Sequence, residues 1–437
     1  MPNPFEMILQ YAKFIEDLAP FLGLLTEILW GWIWFFLPFI LWPIVKERWL
    51  FWREEIRDDP YVLLEIRIPG EMTKPIRAME TVLSGFWQIY GPPNWFEQWW
   101  EGKSNPDFSL EIASIDGIPH FLVRAPAKQR VVFEQHIYAQ YPQAEINEVE
   151  DYTTKVPKNI PNEKWDIWGT DYKMINDCFP LRTYRDFETE REATEEKRID
   201  PIASLLEGLS KLEKGEQLWI IIKAEPVTDD ESGFMKKAKK EYQKLAGRKE
   251  KPPPFSFLED FFNTLTGYPP KKEAPEDEAF PEMKLTPGEK EKVAAIERKM
   301  SKQFFKCFIR YAYIAKRDKF SGSRIKIPMS YFNHFNIPGM GTIIPHAETI
   351  TKVKQNWYDW FWKIEERLYV KKRRMFRNFL RRVPAFFPVS KGDEKFILNV
   401  EELATIYHFP SKVSAPPSVI QRVEAKKKEA PHDLPTE

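Results

Sequence analysis

The residues best placed to do chemistry in this chain are cations. Between 371 and 382 it reads KKRRMFRNFLRR, so that Lys371, Lys372, Arg373, Arg374, Arg377, Arg381 and Arg382 follow one another with no acid among them. Such a patch can neutralise phosphates on nucleic acid, with an affinity that falls as salt rises. It can equally lie on anionic lipid, where each basic residue near the surface contributes about 1 kcal/mol. A solvated helix face whose cations confer solubility is the third reading.

Catalytic chemistry finds little to stand on. No glycine-rich loop ends in Lys-Ser or Lys-Thr, so the chain is not expected to bind and hydrolyse ATP itself. The histidines at 120, 136, 334, 346, 408 and 432 lack the one-turn spacing that would put two of them on one helical face for a metal. Cys178 and Cys307 are the only cysteines and show neither pairing nor ligand spacing, which suits a reducing compartment. No Gly-x-Ser-x-Gly elbow occurs. The expectation is a non-enzyme with no catalytic, cofactor-binding or metal-ligating residue.

The elements that must carry the basic run come next. Trp357, Trp360, Phe361, Ile364, Leu368, Phe376 and Leu380 are spaced for one face of a helix within 351–390. Far upstream, LAPFLGLLTEILWGWIWFFLPFILWPIV (18–45) is interrupted by one charge, Glu27. A hydrocarbon slab of about 30 Å needs about 20 helical residues, so this run predicts a single transmembrane helix over about 19–45 within an anchor, 1–57. Trp42, Trp49 and Trp52 would then sit at the headgroups, and Lys46, Arg48, Arg53 and Arg57 would keep the following domains in the cytoplasm at an inner membrane.

The chain has 437 residues, with 65 basic and 65 acidic side chains, and enough length after the anchor for two or three small domains. YVLLEIRIP reads as a strand, Ile76, Met79, Leu83 and Phe86 as a helix, and FSLEIASIDGIPHFLVRAP as a hairpin turning at Asp116-Gly117. A helix over 128–141 and the strand AEINEVEDY follow. The order is strand, helix, strand, strand, helix, strand, the ferredoxin-like split βαβ pattern, over 58–155. The aromatic insertion GPPNWFEQWWEGKSNPD interrupts it, with Trp95, Phe96, Trp99 and Trp100 suited to a membrane surface or a partner. A looser copy spans 156–350, with a low-complexity, disordered insertion at about 247–286 and a helix capped by Thr286 and Glu289 after it. The predicted class is therefore α+β: one transmembrane helix, two ferredoxin-like units, a long basic helix, and a short strand-helix with a basic tail over 391–437.

FSLEIASIDGIPHFLVRAP, HIYAQYPQAEINEVEDY and FILNVEELATIYHFPSKVSAPPSVIQRVEAKKKEAPHDLP, behind a tryptophan-rich N-terminal span, resemble membrane-anchored proteins of unknown-function domain in type IV secretion and conjugation-like gene clusters of candidate-phyla bacteria. The similarity runs from Tyr61 to Pro435. In such relatives the segment like ILNVEELATIYHFP leads into a P-loop coupling ATPase. The resemblance implies a membrane-bound scaffold or adaptor, with a homo-oligomeric ring as one arrangement, that docks a separate P-loop secretion or conjugation ATPase. The residues implied in that contact are Glu402, Leu403, Tyr407, His408, Phe409 and Pro410, with Arg422, Lys426, Lys427 and Lys428 on an extended arm. The alternatives are a DNA-binding guide subunit of the same system and a membrane protein of unrelated structural role.

Overall fold

A computed structural model describes residues 20, 23, 27, 30–39, 41–42, 45–46 and 48–49 near the N-terminus, and 60–69, 74–101, 103–187, 200–245, 285–354, 363–384 and 395–410 beyond it. Trp52, Arg422 and Lys426 to Lys428 lie outside the described residues, as do most of the low-complexity insertion and the tail. The chain divides into two compact units, one of residues 1–59 with 92–105, the other of 60–91 with 106–437.

In the smaller unit, residues 30–39 form a continuous helix. Among the described residues no helix is long and apolar enough to cross a membrane. The expected single transmembrane helix is therefore not supported among the described residues. The insertion belongs to the same unit: Trp42 stacks on Trp99 at 6.0 Å, and the Trp49 indole N–H donates to the Trp99 carbonyl at 3.0 Å. Asn94 and Glu97 cap the insertion's helical turn reciprocally, each side chain accepting the other's backbone N–H.

The larger unit is α+β, and among the described residues its two halves share one nine-stranded antiparallel sheet. Its strands are β1 (Tyr61–Arg67), β2 (Phe108–Ile115), β3 (Ile118–Pro126), β4 (Glu145–Glu148), β5 (Trp165–Ile175), β6 (Glu216–Val227), β7 (Phe304–Lys316), β8 (Thr342–Pro345) and β9 (Phe396–Asn399). Their order is β4-β1-β3-β2-β6-β7-β5-β8, and β9 joins β7 where β5 has left it. Numbered within its own half, each set of four runs fourth, first, third, second. The halves meet at β2 and β6, whose antiparallel register sets Ile112 opposite Ile220. This pairing relates the two halves by an approximate two-fold axis.

The helices are α1 (Arg77–Phe86), α2 (Arg130–Gln140), α3 (Pro201–Ser210), α4 (Phe234–Leu245), α5 (Pro287–Met300), α6 (Gly322–Asn333), α7 (Ile364–Leu380) and α8 (Val400–Ile406). One sheet face, with Leu64, Leu110, Val123, Ile220 and Ile309, packs on α1, α2, α3, α6 and α8. The other, with Leu63, Ala113, Leu122, Trp219, Ile221 and Ile314, receives Phe376 and Phe379 of α7 together with Tyr152, Val156 and Ile160. Burial from both sides explains why EQLWIIIKAEPV is almost continuously apolar rather than alternating. A third cluster joins Phe234 and Ala238 of α4 to Ile296 of α5, Phe304 and Ile397.

Candidate functional surfaces

The smaller unit carries the most conspicuous apolar surface. Trp30, Trp32, Ile33, Trp34, Phe35, Phe36 and Phe39 are between 48% and 67% exposed, and Trp95, Phe96 and Trp100 are exposed as well. Because these side chains point in every direction around helix 30–39, the helix has no polar side of its own, a pattern ordinarily covered by a partner or by lipid. Trp42 and Trp49, expected at headgroups, lie on this unit, both exposed, with the Lys46 ammonium 5.3 Å from the Trp99 ring centroid. Tryptophan beside lysine is the composition of a bilayer's headgroup zone.

The basic run of α7 is divided by the fold. Lys372 pairs with Asp166 at 2.7 Å, and Lys371 donates to the Lys352 carbonyl. Arg382 is 3% exposed and sits among acids: its guanidinium donates to both oxygens of Glu111, at 2.6 and 3.1 Å, and to both oxygens of Asp151, at 2.7 and 3.1 Å. Arg373 and Arg377 are exposed, Arg374 half-buried, and Arg381 exposed with contacts of its own. The structure therefore brings only part of the run to one solvent face, because α7 must bury Phe376 and Phe379 and its flanking cations meet the acids of the sheet.

The C-terminal residues expected at a partner are inside the molecule. Glu402, Leu403, Tyr407, His408 and Phe409 are all 5% exposed or less, and Pro410 is half-buried. Asn399 caps α8 and Glu402 returns the bond, a reciprocal pair that starts the helix where β9 ends. The other Glu402 oxygen accepts from Lys299 at 3.1 Å and from the Leu181 N–H at 2.8 Å. Burial pushes the Glu402 carboxyl up, against the pull of Lys299. Tyr407 and Phe409 pack on Phe121, and Phe409 on Tyr141. His408 bridges the Thr405 carbonyl at 3.1 Å and Asp200 at 2.8 Å, so both ring nitrogens face acceptors.

Charged groups that periodicity does not single out line the sheet's second face. Glu65 accepts from Arg67 at 2.7 Å and from His120 at 2.5 Å. Burial favours its neutral form, but these two partners outweigh burial and hold the carboxyl below its ordinary value. Asp107 accepts from Tyr61 at 3.1 Å and pairs with Lys223 at 2.7 Å, while Arg310 and Asp171 form a bidentate pair at 2.5 and 2.9 Å. The signal that could have found them is the strand alternation itself, which interleaves Glu65 and Arg67, Ser109 and Glu111, and His120 and Arg124 with apolar neighbours. Comparison of the chain with known protein families and with individual characterised proteins finds no match.

Proposed function

We propose that this chain is a non-catalytic scaffold that works by surface contact: its aromatic unit seats in a layer of lipid headgroups, and its sheet body offers a rigid platform to partner proteins. The observation that carries this reading is the exposed aromatic surface around helix 30–39 and the 92–105 insertion, with Lys46 set against Trp99. Indole rings partition to the headgroup zone, and cations beside them add attraction to anionic lipid. The body supports the platform role through long-range ties, among them Arg310 to Asp171, Arg382 to Glu111 and Lys299 to Glu402. The setting, a secretion or conjugation-like machine with a separate P-loop ATPase, rests on the resemblance of the quoted segments alone.

Flotation tests it. The full-length protein is mixed with vesicles of phosphatidylcholine and phosphatidylglycerol and spun in a density gradient, beside a variant carrying Trp30→Ser, Trp32→Ser and Trp34→Ser. The expected result is that the parent chain rises with the vesicles and the variant does so several-fold less, at unchanged circular dichroism. A parent chain that stays at the bottom of the gradient overturns the reading.

A further inference from the structure

The cations left at the surface of α7 are joined in the fold by others from outside the helix. Tyr369, Val370, Arg373, Arg374 and Arg377 follow the i, i+1, i+4, i+5, i+8 spacing of one helical face. Tyr369 and Val370 are 50% and 54% exposed, Arg373 and Arg377 are exposed, and Arg374 is half-buried. Beside the first half of α7 runs the segment 352–354. The Arg367 guanidinium donates to the Lys354 carbonyl at 3.1 Å, and the Lys371 ammonium to the Lys352 carbonyl at 3.2 Å. Those two bonds bring Lys352 and Lys354, both exposed, alongside the helix.

Little within the chain answers this charge. Among the described residues Arg373, Arg374 and Arg377 make no ion pair and no side-chain hydrogen bond. Burial and the nearby charge of Arg367 push the Lys371 ammonium below its ordinary value, against the pull of Glu348. The acids Glu365 and Glu366 stand in the first turn, ahead of the arginines. A chain whose 65 basic and 65 acidic side chains balance has concentrated one sign here. Like charges gathered on one helix repel one another until a counter-charge arrives.

Lipid and nucleic acid both offer phosphates, and the burial pattern separates them. An amphipathic helix lies on a bilayer by sinking its apolar face into it. In α7 that face is spent on the protein itself, since Met375, Phe376 and Phe379 are buried. What stays outside is chiefly arginine and one phenol ring: guanidinium groups fork onto phosphate oxygens, and a ring accepts an unpaired base by stacking. At about 1.5 Å per residue, Tyr369, Arg373 and Arg377 succeed one another about every 6 Å, a row that matches a strand better than a plane.

We propose that the outer face of α7 holds a single nucleic-acid strand, with phosphates on Arg373, Arg374 and Arg377, Lys352 and Lys354 at the flank, and a base on the Tyr369 ring. Tyr369 selects single strand over duplex, because a base stacks on a side chain only when it is out of the double helix.

The test follows the anisotropy of a fluorescein-labelled oligothymidine as full-length protein is added at several salt concentrations. The expected result is saturable binding that weakens as salt rises. Arg373→Gln with Arg377→Gln removes two phosphate contacts, so affinity should fall about tenfold at low salt and the slope of log affinity against log salt should become shallower by about 1.4. Tyr369→Ala should weaken binding several-fold at an unchanged slope, because stacking releases no counterions. A labelled duplex of the same length should bind more weakly than the single strand. All these side chains lie at the surface, so urea midpoints of the variants should match the parent's. No binding of oligothymidine, an unaltered affinity in either variant, or duplex binding as tight as single-strand binding overturns the proposal. A parent that ignores the oligonucleotide, while the arginine variant alone loses phosphatidylglycerol vesicles, overturns it also and assigns the face to lipid. The Trp30→Ser, Trp32→Ser, Trp34→Ser variant should bind oligothymidine as the parent does, so this proposal and the lipid reading of the aromatic unit fail separately.

Discussion

Arg382 shows what one residue does here. It belongs by sequence to the cationic run, adopts a left-handed backbone at φ 53°, and closes α7 onto the first half of the sheet through Glu111 and Asp151. Removing one partner of a buried pair strands the other's charge, so Arg382→Met is expected to lower unfolding free energy by about 3–5 kcal/mol in urea titrations, whereas Arg377→Gln leaves it unchanged. A small loss for Arg382→Met would contradict the clasp. Lys299 and Glu402, both fully buried, form a second such pair. Here the double variant Lys299→Met with Glu402→Gln should recover much of what Lys299→Met loses, because no unpaired charge remains; simple additivity would count against a coupled pair. Glu65 and Asp151 supply the pH dependence. For both, burial raises the carboxyl but bonds to His120 and Arg67, or to Arg382, outweigh it, and the folded value ends below the unfolded one. Their stabilisation is therefore complete above the ordinary carboxylate value and drains away as pH falls through the folded value. Urea midpoints measured from about pH 6 down to about pH 3 should fall less steeply in Glu65→Gln than in the parent.

Among the elements, those governed by neighbours in the chain were legible and those governed by distant ones were not. The Asp116-Gly117 turn is present, with φ values of 53° and 86°, as two-residue hairpins require. The capping box of Thr286 and Glu289 opens α5, and the helix read over 128–141 occupies Arg130–Gln140. The pairing of β2 with β6 was not legible, because it joins strands more than a hundred positions apart and leaves no local mark beyond apolar composition. The fate of the basic run was hidden likewise: Lys372 finds Asp166 only because α7 crosses β5. The segment of β9 and α8, which the resemblance implies at a partner, is covered by α1 and β7 across long separations. A substitution at the hairpin tests the junction of the halves. A Cβ at position 117 would lie 2.5 Å from the Leu212 carbonyl, on a backbone that L residues avoid. Gly117→Ala should cost about 1–3 kcal/mol, read as a lowered urea midpoint, and a neutral effect would mean the turn yields freely.

At the scale of the whole molecule, hydropathy patterning near the N-terminus predicts a membrane span that the described residues do not form. The tryptophan-rich stretch near the N-terminus exposes its aromatics, but among the described residues no helix is long and apolar enough to span a membrane, and the same compact unit includes the 92–105 insertion. Exposed indoles in such number need a counterpart, and a headgroup layer accepts both their rings and their N–H groups. The most direct measurement is contact quenching: indole emission of the full-length chain, followed as vesicles bearing a nitroxide at headgroup level are added, beside the Trp30→Ser, Trp32→Ser, Trp34→Ser variant. The scaffold reading requires emission to fall in the parent and to change far less in the variant, whereas equal emission with nitroxide-bearing and plain vesicles in the parent would contradict it.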